Sequence, residues 1–131
     1  LFTSSVAATT PGTFQAVYSA SKSFVQSFAL ALRAELADTG VTVTSLMPGP
    51  TDTAFFERAG MEDTALAAGA SDDPADVAEQ AVAALLNGDE RVVTATLATR
   101  VEALASRLLP DSVKAAALGL VARPGSSPRA G

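Results

Sequence analysis

The sequence predicts an α/β fold built on a parallel sheet, and three observations carry that expectation. Short apolar or β-branched runs at Leu1 to Ser4, Val41 to Met47 and Arg91 to Thr94 have strand character. The stretches between the first two runs and between the last two hold apolar residues at helical spacing. Glycine, proline and asparagine mark the joints, at Pro11-Gly12, Gly40, Pro48-Gly49-Pro50 and Asn87-Gly88. A strand, helix, strand succession of this length implies parallel pairing through a right-handed crossover.

Each element has its own local reason. Leu1 to Ser4 reads as a short strand, and Ala7 to Thr13, interrupted by Pro11 and Gly12, as a loop. A helix is expected to begin between Phe14 and Val17. Along it Phe24, Val25, Phe28, Leu32 and Leu36 share one arc and are expected to form its packed face, with Tyr18 and Lys22 at the edge. Asp38, Thr39 and Gly40 end that helix, the glycine at a position that accepts a left-handed backbone. Val41 to Met47 alternates valine and threonine as a strand does, and Pro48 to Thr53 forms the turn after it.

From Ala54 to Ser71 the chain is expected to be irregular, with Phe55 and Phe56 available to line an apolar pocket or to pack beneath a loop. Asp73 is a helix cap, Pro74 suits the first turn and Asp76 complements the helix dipole. Val77, Ala81 and Leu85, with Val82 and Leu86, give this second helix its apolar face, and Asn87-Gly88 stops it. Arg91 to Thr94 is the last strand. Val101 to Leu109 and Val113 to Ala122 are expected helices separated by Pro110, and residues 123–131 a disordered tail.

Composition removes several function classes. The chain has 131 residues, enough for one small domain, and a net charge of −5 with 48% apolar residues, which gives no basic surface for nucleic acid. No apolar run approaches the ~18 residues of a membrane span, no secretory leader is recognisable, and a cytoplasmic location is expected. Without cysteine there are no disulfides or thiol nucleophiles. Without histidine the usual imidazole base and the commonest metal ligand are missing, so no metal site and no Ser-His-Asp hydrolase is expected.

The remaining chemistry centres on Tyr18 and Lys22. Residues four apart share a helix face, which sets an ammonium beside a phenol. A phenol titrates near ~10 and works in proton transfer at neutral pH only where a neighbouring charge favours its anion. An isolated Tyr-x-x-x-Lys pair is more often a solvated helix pair than a catalytic one. Ser5, thirteen residues before Tyr18, offers a hydroxyl to a carbonyl oxygen. In an open parallel sheet ligands bind beyond the carboxyl ends of the strands. Ser5 and the Pro48 to Thr53 loop both lie at such ends, with Tyr18 near the start of the helix between them.

This combination resembles the short-chain dehydrogenase/reductase family, whose signature is a serine, then Tyr-x-x-x-Lys, then Pro-Gly-x-(Ile/Val)-x-Thr after the next strand. The resemblance runs from Leu1 to about Thr94. It implies a partial Rossmann-type doubly wound parallel sheet, its last three strands with flanking helices, in an α/β domain over residues 1–122. It also implies that the amino-terminal half lies outside this sequence, because no Gly-x-x-x-Gly-x-Gly turn and no Asn-Asn-Ala-Gly run occurs.

The function implied is NAD(P)-dependent hydride transfer between a nicotinamide and a carbonyl or alcohol substrate. Tyr18 is then the general acid/base, Ser5 orients the carbonyl oxygen, and Lys22 also bonds the nicotinamide ribose. Pro48 and Gly49 shape the approach to the nicotinamide, the Thr51 backbone amide bonds its carboxamide, and Thr53 contacts the carboxamide or a nearby phosphate. Thr51 stands where the family more often has isoleucine or valine, and Ala8 where glycine commonly follows the serine. A homo-oligomer is the implied assembly of the full-length protein. The competing reading is a non-catalytic interaction module of the same fold, which predicts no specific dinucleotide binding.

Overall fold

The computed structural model describes residues 1–94 and 109–128. The chain runs through β1 (Phe2–Thr3), a 3₁₀ turn (Val6–Thr9), α1 (Ala16–Glu35), β2 (Ser45–Pro48), α2 (Phe55–Arg58), α3 (Pro74–Asn87), β3 (Arg91–Thr94) and α4 (Asp111–Val121). The strands form one sheet in the order β1-β2-β3, both pairs parallel, with Phe2 opposite Ser45 and Ser45 opposite Arg91. Successive side chains of a strand point to opposite faces. Ser45 meets Gln26 of α1, whereas Leu46 packs with Val77 and Ala81 of α3 and with Val92. The two helices therefore cover opposite faces of the sheet, which is the expected α/β arrangement.

The faces are held differently. On the α3 side the contact is aliphatic, the ordinary apolar contribution to a core. On the α1 side it is polar: the buried residues of α1 are Ser19, Gln26 and Ala29. Ser4 Oγ donates to the Lys22 carbonyl at 2.8 Å, and Lys22 Nζ donates back to the Thr3 carbonyl at 3.1 Å. Farther along, Arg33 donates to the Val43 carbonyl at 2.7 Å and to the Gly88 carbonyl at 2.9 Å.

This corrects the expected packed face of α1. Phe24 and Phe28 point outward, 69% and 47% exposed, and Val17 beside them is 85% exposed. Val25, Leu32 and Leu36 are half-buried at the margin. The helix turns its hydrogen-bonding side to the strand ends and leaves its aromatic stripe outside. On α3 the same correction is smaller: Val77, Ala81 and Ala84 are buried and Leu85 half-buried, while Val82 and Leu86 are exposed.

The middle strand is shorter than the predicted Val41 to Met47. It starts at Ser45 because its partner β1 starts at Phe2, and the Val43 carbonyl is already taken by Arg33. The helix ends follow their local chemistry. Asp73 Oδ1 accepts from the Ala75 N–H at 2.7 Å, Pro74 occupies the first turn, and Gly88 closes α3 with φ 73°.

Residues 123–128, expected as a disordered tail, fold back on the segment after α2. The Gly125 N–H donates to Asp63 Oδ2 at 2.8 Å and the Ser127 N–H to the Asp63 carbonyl at 2.8 Å. Ser126 Oγ accepts from the Ala65 N–H at 2.9 Å, and the Leu66 N–H donates to the Val121 carbonyl at 3.0 Å. The expected helix over Val101 to Leu109 lies outside the described residues except at Leu109. Among the described residues no helix is long and apolar enough to cross a membrane.

Candidate active site

Ser5 sits where β1 gives way to the 3₁₀ turn. The Ser4 N–H bonds the Leu46 carbonyl at 2.8 Å, which fixes the strand end, and Ser5 then caps the turn, its Oγ accepting from the Ala7 N–H at 3.1 Å. The side chain is 7% exposed. Its own proton points to the Pro48 carbonyl at 3.5 Å, a long contact for an O–H donor. The backbone thus engages one acceptor lone pair of the hydroxyl, while its proton makes only the long contact.

Tyr18 lies in the first turn of α1, with Lys22 one turn on. Lys22 Nζ is 5.7 Å from the centre of the Tyr18 ring, within cation–π range, and its bond to the Thr3 carbonyl holds it there. On its other side the Tyr18 ring meets Phe55 at 5.2 Å between centroids, and Phe55 meets Phe56 edge-on at 5.3 Å. The phenol is therefore positioned between a fixed ammonium and an aromatic wall.

The loop after β2 is braced at both ends. The Gly49 N–H bonds the Thr94 carbonyl at 3.0 Å, continuing the β2–β3 pairing. A parallel bridge joins Thr51 to Asp72, made by the Asp52 N–H to the Asp72 carbonyl and the Asp72 N–H to the Pro50 carbonyl. That bridge uses the groups on either side of Thr51 and not the Thr51 N–H. Thr51 Oγ1 donates to the Gly49 carbonyl at 3.1 Å, and Thr53 Oγ1 accepts from the Phe55 N–H at 3.3 Å at the start of α2.

One cavity of about 920 Å³ gathers Ser5, Tyr18, Lys22, Pro48, Gly49, Thr51 and Thr53. Every residue singled out from the sequence lies on its wall. Phe55, Phe56 and Leu66 come to it from the segment after α2, and Lys114, Ala117, Leu118 and Val121 from α4. Thr13 Oγ1 anchors α4 by donating to the Ala115 carbonyl at 2.7 Å, and Gly119 lies against Thr13, where an added Cβ would stand 3.1 Å from Cγ2.

Two residues that line the cavity escaped the sequence reading. Ser4 positions Lys22 through the Lys22 carbonyl, yet a serine beside another serine carries no distinguishing signal. Lys114 is about a hundred residues from Ser5 in an alanine-rich helix, and only the fold brings it to the cavity. Among the described residues, no three histidine, cysteine, aspartate or glutamate side chains gather as a metal site requires.

The chain is similar to known proteins in sequence and in fold. Residues 1–64 match the family model for short chain dehydrogenase. A stretch of 69 residues is 46% identical to an uncharacterised oxidoreductase of Staphylococcus saprophyticus, covering 53% of this chain and 27% of that protein. The chain thus matches about a quarter of that relative's length. The fold is similar to a short-chain dehydrogenase from Sphingobium yanoikuyae solved in complex with NADPH, with a TM-score of 0.65 and 22% identity, over 80% of this chain and 41% of that one. The first half of the chain is thus similar in sequence to short-chain dehydrogenases, and the described fold is that of one.

Proposed function

We propose that this chain carries the proton-transfer half of an NAD(P)-dependent oxidoreductase acting on a carbonyl or alcohol. The observation that carries the reading is the convergence of Ser5, Tyr18, Lys22 and the Pro48 to Thr53 loop on one cavity. The NADPH in the Sphingobium structure supports the choice of cofactor class. When bound, the nicotinamide supplies hydride to the carbonyl carbon, or accepts it in the reverse direction.

In the reducing direction the Tyr18 hydroxyl gives its proton to the carbonyl oxygen. Lys22, fixed by the Thr3 carbonyl, favours the phenolate that remains and also bonds the ribose of the cofactor. Ser5 turns its proton from the long Pro48 contact to the same substrate oxygen, a donor already in place where negative charge develops. The residues fit a nicotinamide at the loop: Pro48 and Gly49 form its floor, the Thr51 N–H that the bridge leaves aside bonds the carboxamide, and Thr53 contacts the carboxamide or a phosphate. Phe55 and Phe56 make the substrate side apolar. A cytoplasmic location accompanies this reading.

The test is Tyr18→Phe in the full-length protein. Turnover is expected to fall by roughly 10²–10⁴-fold, as loss of a general acid does, while NADPH affinity measured by fluorescence titration stays within a few-fold. Turnover retained in the variant would remove Tyr18 from the mechanism. Absence of dinucleotide binding in the wild type would favour the interaction-module reading, whose supporting observation is the outward apolar stripe of α1.

A further inference from the structure

The charge lining the cavity is one-sided. Among the described residues its wall carries two ammonium groups, Lys22 and Lys114, and no carboxylate, in a chain whose net charge is −5. Lys22 already has work in the reading above. Lys114 has none.

Lys114 shares a face of α4 with Ala117, Leu118 and Val121, at the i, i+3, i+4, i+7 spacing of one helix stripe, and that stripe faces the cavity. Among the α4 residues that line the cavity it is the charged one. Its side chain is only 12% exposed, although a lysine on a surface helix ordinarily keeps its head in water. Asp111 Oδ1 lies 2.6 Å from Lys114 Nζ, but Asp111 is 77% exposed, so solvent screens the pair and it offsets little of the cost of burying the ammonium. An ammonium has three donors, and Asp111 takes one of them.

The position of α4 separates this cation from the other. The helix is anchored on Thr13, five residues before Tyr18, whereas Lys22 lies four residues after it. The two ammonium groups therefore come to the cavity from different elements, Lys22 from α1 and Lys114 from α4. The apolar wall of Phe55, Phe56, Leu66 and Leu118 lies in the same cavity.

From this placement we propose that Lys114 binds an anionic group on the substrate, so that the carbonyl or alcohol compound turned over here carries a carboxylate or phosphate joined to its reacting carbon through an apolar segment. The proposal rests on the oxidoreductase reading. It commits to the anion of the substrate, and the anionic groups of the cofactor are the competing source.

The experiment measures steady-state kinetics of the full-length protein and of Lys114→Met on straight-chain oxo acids of graded length and on their neutral methyl esters. The wild type is expected to prefer the acids. Lys114→Met should lose roughly tenfold to a hundredfold in kcat/KM on the acids, mainly through KM, as loss of one charge-assisted hydrogen bond does. Activity on the esters and the KM for the nicotinamide cofactor should stay within about twofold, and Lys114→Arg should keep the preference for acids. An equal loss on acids and esters would make Lys114 merely structural and overturn the proposal. A rise confined to the cofactor KM would assign the anion to the cofactor and overturn it as well. Turnover of esters without preference for acids would refute the substrate anion while leaving the oxidoreductase intact. No turnover of any substrate with either nicotinamide would instead bring down the oxidoreductase reading itself.

Discussion

Gly12 leaves no room for a side chain. A Cβ there would stand 2.1 Å from Ser19 Oγ, 2.7 Å from Ser19 Cβ and 2.8 Å from the Gln15 carbonyl oxygen. Rotating the serine relieves the first contact but not the other two, which belong to the opening turn of α1. Gly12→Ala is therefore expected to destabilise the fold by about 1–3 kcal/mol, the cost of overpacking, and to displace the turn that carries Tyr18, so that kcat falls more than thermal stability alone explains. A melting curve beside a kcat measurement separates these effects; unchanged values in both would show that the loop yields freely.

Lys22→Met removes both the cation over the Tyr18 ring and the donor to the Thr3 carbonyl. Turnover and cofactor affinity are expected to fall together, the latter by at least about tenfold, read by NADPH titration. The candidate site was legible at this scale because Ser5, Tyr18 and Lys22 are defined by spacing along the chain. Lys114 was not legible, because its partners in the cavity come from four separate segments.

At the scale of elements, α1 defeats the ordinary inference from amphipathicity. An aromatic stripe normally marks the buried side of a helix, yet here the sheet meets Ser19, Gln26 and Ala29 and is tied to the helix by Ser4, Lys22 and Arg33. The helix and its start were readable from the 3.6-residue period, whereas it stops at Glu35, with turns from Leu36 to Gly40, short of the expected end at Asp38 to Gly40. Which side faces inward was not readable, because the period reports that an apolar stripe exists and says nothing of what it meets. By contrast α3 followed its sequence closely, since Asp73, Pro74 and Gly88 act through their own backbone neighbours.

Arg33 provides the test of the polar interface. Its guanidinium joins α1 to the chain before β2 and to the stop of α3, through the Val43 and Gly88 carbonyls. Arg33→Met keeps the aliphatic stem and removes both bonds, and is expected to cost about 2–4 kcal/mol at typical values for charged donors. Chemical denaturation reads that loss. Asp73→Ala, which removes only an exposed cap, is expected to cost about 1 kcal/mol. A smaller effect at Arg33 than at Asp73 would show that α1 is held by something other than its hydrogen bonds.

Across the described residues the distribution of side chains is inverted in part. Among the described residues the largest fully buried side chains are Thr44, Thr64, Thr94, Ser4 and Ser45, whereas Phe24 and Phe28 stand outside with their rings stacked 6.1 Å apart. Phe28 also meets Phe2 of β1 edge-on at 5.6 Å, so the apolar strip continues from α1 to the border of the sheet. An exposed strip of this kind is a candidate interaction surface, and the oxidoreductase reading proposes a second copy of the protein as its occupant. Phe24 contributes to this strip and little to the interior, so Phe24→Glu is expected to leave the melting temperature of the isolated subunit nearly unchanged. If copies meet on α1, the same change places a carboxylate in the centre of the contact and weakens association by at least about thirtyfold, the effect of losing an interface anchor. Light scattering on the full-length protein at micromolar concentration distinguishes the outcomes: an oligomer that Phe24→Glu converts to single subunits supports assembly through α1, and an unchanged mass would place the contact elsewhere on the molecule.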